Sequence, residues 1–124
     1  MNLKITGEDF IKMVKNYYIN EYGYNVEVNA YSYQDDRFGY NNILIKIKYN
    51  NSVNNFNVEF EDYLKDEDIK KIVQYFFNNE YDIKKAYLDT SRELSGYGYS
   101  EHYETVFKGV SIEAEKAKQK VKKL

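Results

Sequence analysis

Apolar positions along the chain recur with two periods, and the switches between them mark the elements. Thr6-Gly7-Glu8-Asp9 fits the S/T-x-x-D/E signature of a helix start. Behind it Phe10, Val14 and Tyr17, then Ile11, Tyr18 and Tyr22, fall at helical spacing until Gly23. The spacing predicts a helix over 7–22, closed by Gly23 in the left-handed conformation. Val26, Val28 and Ala30 then alternate with Glu27, Asn29 and Tyr31, the period of a half-buried strand. Turn formers fill Asp35–Asn42. Ile43, Ile45, Ile47 and Tyr49 next alternate with Leu44, Lys46 and Lys48, and a tight turn is expected at Asn50-Asn51. A third strand with Phe56, Val58 and Phe60 on one face follows.

Asp66 is read as the N-cap of a second helix, with Glu67 and Asp68 in the first turn, where the backbone dipole favours negative charge. Ile69, Ile72, Val73, Phe76 and Phe77 form a single apolar stripe that closes at Asn78-Asn79. Two last strands follow, one with Ala86, Leu88 and Thr90 on a face, the other with Val106, Val110, Ile112 and Ala114. The predicted fold is therefore α+β in the order α-β-β-β-α-β-β: a mainly antiparallel five-stranded sheet with two helices packed on one face. One domain is expected over 1–114. A basic tail follows over 115–124, in which Ala117–Leu124 would fray or extend as a weak helix.

Pleat alternation places the residues between the inward positions on the opposite face of that sheet. They include Tyr31, Tyr33, Leu44, Tyr87 and Phe107 among Lys46, Lys48, Asn57 and Glu59. A helix-free face normally turns polar, so this set predicts an aromatic contact face, with burial against a second copy as one use of it. Composition tempers the point. Tyr totals 15, and proline and cysteine are absent. The placement of the tyrosines therefore says more than their number. Without cysteine there is no disulfide framework, thiol nucleophile or cysteine-bearing zinc site.

Charge divides the chain. The last ten residues hold five lysines against one glutamate, +4, and with a net charge of −2 the preceding 114 residues sum to −6. An acidic body argues against a nucleic-acid-binding core, whereas a small acidic protein can occupy a basic channel on another protein by sharing the charge sign of phosphate. The start of the chain has no apolar core of a signal peptide, and no run approaches the ~18 apolar residues of a membrane span. A soluble, cytoplasmic protein without membrane contact is expected.

Candidate chemistry centres on the loop Leu94–Tyr103. It contains His102, the only histidine, and follows Arg92. A loop histidine near Glu101 and Glu104, with Arg92 opposing a phosphate, has the components of a small ribonuclease site. Gly96-x-Gly98 would suit a phosphate loop only before a helix, and a strand is expected there instead. Tyr97, Tyr99 and Tyr103 in a Ser/Gly setting suit a partner-binding tip. The acids at 59, 61, 62 and 66–68 lack the spacing of a calcium loop, so neither a metal nor a cofactor is expected.

In size, acidity and Asn/Lys/Tyr bias the chain resembles small accessory proteins of phages and mobile elements, some of which inhibit host defence complexes. That likeness is compositional and transfers no functional residue. The leading expectation is a non-catalytic binding or inhibitor protein with a protein partner and a homo-oligomeric state. Its contact residues would be Tyr31, Tyr33, Tyr87, Arg92, Tyr97, Tyr99, His102, Tyr103 and Phe107. The alternatives are sequestration of a nucleotide or similar anion at a subunit interface, and a ribonuclease using His102.

Overall fold

The computed structural model describes residues 1–35, 40–96, 98 and 102–117, with backbone only for 32–35, 40–42, 95, 102 and 103. The order is β1 (Asn2–Thr6), α1 (Gly7–Tyr22), β2 (Glu27–Asp35), β3 (Tyr40–Val53), β4 (Phe56–Tyr63), α2 (Asp66–Phe77), β5 (Tyr81–Ser95) and β6 (His102–Lys116). The class is α+β, but the expected five-stranded sheet is not formed. Among the described residues six strands make two three-stranded antiparallel sheets, ordered β1-β6-β5 and β2-β3-β4.

A further strand, β1, joins the five expected. Leu3 and Ile5 alternate with Asn2 and Lys4, and the strand pairs with β6 from Asn2↔Glu113 to Thr6↔Gly109. With β5 on the other side, both hydrogen-bonding edges of β6 are taken along this stretch. The β2–β4 meander keeps its own sheet and meets the first through side chains.

Both helices form where the periodicity puts them. The Thr6 hydroxyl accepts from the Asp9 amide at 3.2 Å, and Gly23 closes α1 at φ 75°, its amide donating to the Ile19 carbonyl at 3.0 Å. At α2 the expected cap shifts by one residue. Lys65 is the N-cap, and the Asp68 carboxylate accepts from its amide at 2.9 Å, leaving Asp66 and Glu67 in the first turn. The expected turn at Asn50-Asn51 also moves. β3 runs on to Val53, and Asn54-Asn55, with φ of 51° and 70°, make a two-residue hairpin loop that sets Val53 opposite Phe56. Either asparagine pair could adopt positive φ, but only the later one lets Tyr49, on the inward phase of β3, meet Phe60 across the ladder.

A single core draws on every layer. Phe10 and Val14 of α1, Ile69, Ile72 and Val73 of α2, Val28, Ile45 and Ile47 of the meander, and Val110, Ile112 and Ala114 of β6 are all buried in one cluster. α2 lies chiefly on β5 and α1 on β6, and the two helices touch each other. Phe56, expected inside, is 73% exposed, because it sits at the hairpin end beyond the reach of the helices.

Two irregularities re-aim the long β5–β6 hairpin. Register shifts fall between Ile83 and Lys85 and between Asp89 and Thr90, where the partner of Asp89 is Gly109 and that of Thr90 is Phe107. Lys108 is thus the extra residue of a bulge, which swaps the faces of everything beyond it. Phe107, expected on the outer face, turns inward and meets Phe10 edge-on at 6.2 Å, while Val106 leaves the face that it was expected to share with Val110.

Candidate contact surface

The residues predicted to form one aromatic face are divided between the two sheets. Tyr31 stands on β2 opposite Leu44, and Tyr87 stands on β5 opposite Ser111. Both rings are about half exposed. Around Tyr31 the surface is organised by charge. Lys46 lies 5.7 Å from the ring centre and bonds Glu61 at 3.0 Å, and Lys48 bonds Glu59 at 2.7 Å. Hydrogen bonding to Lys46 holds the Glu61 carboxyl below its usual range, and the same bond raises the Lys46 ammonium. This face is a ladder of ion pairs with exposed carboxylates, each worth little where solvent reaches it.

The other predicted contact residues are scattered. Arg92 lies opposite Thr105 on the outer part of the β5–β6 hairpin, His102 opposite Ser95 and Tyr103 opposite Leu94. Tyr33 pairs with Asn42 in the backbone register. The side chains of Tyr33, His102 and Tyr103, and the whole of Tyr97 and Tyr99, lie outside the described residues, as does the expected tail helix beyond Ala117. Phe107 has gone to the core.

The aromatic surface that does form is elsewhere. Tyr75 of α2 meets Tyr17 of α1 edge-on at 5.3 Å, and Tyr17 in turn meets Tyr18 at 5.3 Å and Tyr22 at 6.1 Å. Tyr22 stacks on Tyr24 at 5.8 Å, Tyr24 on Tyr49 at 4.4 Å, and Tyr49 on Phe60 at 5.3 Å. A continuous file of rings thus runs from α2 over the C-terminal turn of α1 to β3 and β4. Asn51 donates to the Tyr24 hydroxyl at 3.4 Å beside it. The file is part core and part surface: Tyr17 is buried, whereas Tyr22 is 52% and Tyr75 42% exposed. Tyr17, Tyr18 and Tyr22 at i, i+1 and i+5 were visible in the sequence as the flank of an amphipathic helix. Their continuation into Tyr24, Tyr49 and Phe60 needed the tertiary pairing.

The electrostatics of the file are acidic. Burial raises the Tyr18 hydroxyl to about 12, with Asp68 and then Asp62 adding to the shift. Burial and a hydrogen bond with Tyr22 push Tyr17 up as well, and Glu21 contributes. Tyr49 is raised by burial, by Tyr24 and by Asp62.

Next to the file, between the end of α1 and α2, lies an open-sided groove of about 1030 Å³. Tyr17 and Tyr75 line it with Phe76, Gln74 and Asn78, and its charged walls are Glu21, Glu67 and Asp82 against Lys70 and Lys71. Gln74 is fixed from behind. Its amide nitrogen donates to the Asn78 and Tyr81 carbonyls at 2.8 Å each, and its oxygen accepts from the Ile83 amide at 2.9 Å. Among the described residues no group of three or more His, Cys, Asp or Glu side chains could hold a metal ion, and no helix is long and apolar enough to cross a membrane.

Comparison with protein-family models, with curated proteins and with solved structures finds no match to this chain.

Proposed function

We propose that the chain is a non-catalytic binding protein that acts by occupying another macromolecule, with the ring file and its adjoining groove as the contact surface. The observation that carries this reading is the file itself. Aromatic rings, above all tyrosines with an apolar ring and a polar tip, are the side chains that interfaces favour; Tyr75 and Phe76 expose theirs along the groove and Tyr22 on the file beside it. An inhibitor encoded by a phage or mobile element, as the composition suggests, would need only such occupation.

The test is affinity capture from a host lysate with the wild-type chain, Tyr22→Ala/Tyr75→Ala, and Tyr97→Ala/Tyr99→Ala. The partner should be lost with the first pair and kept with the second. Equal recovery by all three would remove the ring file from the function.

A further inference from the structure

The groove itself points to the chemistry of its occupant. At about 1030 Å³ it lies at the upper end of the roughly 300–1,000 Å³ of small-ligand pockets, and it is open-sided. It therefore suits an extended peptide segment better than an enclosed small molecule. Apolar and aromatic surface comes from Tyr17, Tyr75 and Phe76. Glu21 enters from α1, Glu67 from α2 and Asp82 from β5, against Lys70 and Lys71 on the α2 side. Asp62 and Asp68 continue the acidic character beside Tyr18, and the first 114 residues sum to −6. The five charged side chains of the lining sum to −1, and an anionic segment would meet carboxylates from three elements but cations from α2 alone. A neutral apolar segment would leave them unpaired and partly desolvated.

We infer that this groove receives an arginine-bearing basic segment of a partner protein. The inference rests on the binding reading above and names its partner class. Arginine satisfies both features of the groove at once. Its planar guanidinium stacks on aromatic faces, and its fork of N–H donors matches a carboxylate in two parallel bonds. Lysine, a compact and strongly hydrated charge, gains from the carboxylates but little from the rings. A basic nucleic-acid channel on another protein would present such segments.

One competitor is built into the chain. The Ala117 amide donates to the Glu80 carbonyl at 3.1 Å, two residues from Asp82 on the groove's rim, and the sequence after Ala117 carries four lysines. The experiment must separate the two occupants.

Fluorescence anisotropy with a labelled peptide of alternating Arg and Gly, and its Lys and Glu counterparts, tests this on the full chain and on a chain ending at Ala117. The Arg peptide should bind both chains at least about tenfold tighter than the Lys peptide, and the Glu peptide should not bind. Glu21→Gln/Asp82→Asn, both on exposed side chains, should weaken the Arg peptide by about tenfold, and Tyr75→Ala should do likewise while Tyr75→Phe retains it. Equal binding of the Arg and Glu peptides, or no loss on neutralising the carboxylates, overturns the inference. Binding only to the shortened chain overturns it too, and assigns the groove to the chain's own tail. If capture from lysate still depends on Tyr22 and Tyr75 while the Arg preference is absent, only the partner class falls. If that dependence is also absent, the binding reading falls with it.

Discussion

A β-carbon on residue 109 would lie 2.0 Å from the carbonyl oxygen of Ile5, and the backbone there has φ 148°. Glycine is required on both counts, because the β1 backbone lies against β6 at this point and the bulge at Lys108 adjoins it. Gly109→Ala should destabilise the chain by about 2 kcal/mol or more, read as a lower denaturation midpoint. A neutral result would mean that β1 is not held against β6 as described. This residue also explains where the sequence reading of the last strand failed. Strict alternation from Val110 back to Val106 is correct only without a bulge, and no side-chain pattern announces one; the glycine was the one local sign of it. Tyr18 offers a second residue-scale test. Its hydroxyl has an ordinary value of 10.0 and is held up to about 12 by burial and by Asp68 and Asp62. A folded value above the unfolded one means that the stability contribution is full below pH 10.0 and is lost as pH rises toward about 12. The tyrosinate absorbance of Tyr18 should therefore lag behind that of an exposed tyrosine, and tertiary circular dichroism should decay in the same window. Ionisation of Tyr18 at 10.0 with the fold intact would contradict the packing around it.

Among the elements, α1 and α2 were the most legible, because their signals are local. The Thr6 cap, the apolar stripes and Gly23 all lie within the helices or one residue outside them. The first three expected strands were legible for the same reason, since alternation needs only a few residues. Which strands share a sheet was not legible. β1 has five residues and pairs with a strand more than a hundred positions away, so no local pattern records that it fills the edge of β6. The contact surface divides along the same line: single tyrosines were visible, but the file joins residues of α1, α2, β3 and β4 that only packing brings together. The α2–β5 junction shows how one side chain can hold such an arrangement. Gln74 bonds the carbonyls of Asn78 and Tyr81 and the amide of Ile83, tying the end of the helix to the first residues of the strand. Gln74→Ala leaves part-buried backbone groups unpaired and should cost about 1–3 kcal/mol in denaturant unfolding. Because Gln74 also lines the groove, the variant should loosen Tyr75 and Asp82 relative to each other. An unchanged stability would show that water replaces these bonds at no cost.

At the scale of the whole molecule, two sheets that share no strand ladder among the described residues could behave as two units. The core argues that they behave as one. Ile47 of the β2–β4 sheet and Ile112 of the β1-β6-β5 sheet belong to a single buried cluster, and Ile69, Ile72 and Val73 of α2 are buried in the same cluster. The buried face of each sheet lies in that one cluster, so opening either would expose apolar surface of the other. Amide exchange at Ile47 and Ile112 should therefore report the same global opening free energy. Ile72→Ala, made on α2 and thus on neither sheet, should lower both by the same amount, about 2–5 kcal/mol. If protection falls at Ile112 while Ile47 keeps its own, the meander is an independent unit. The ring file would then cross a boundary that opens, because it runs from α1 and α2 onto β3 and β4, and a partner seated on it would hold the two units together rather than rest on a preformed surface. Equal losses mean that the file is rigid before any partner arrives, so that variants of exposed rings such as Tyr22 and Tyr75 can be read as changes in contact rather than in folding.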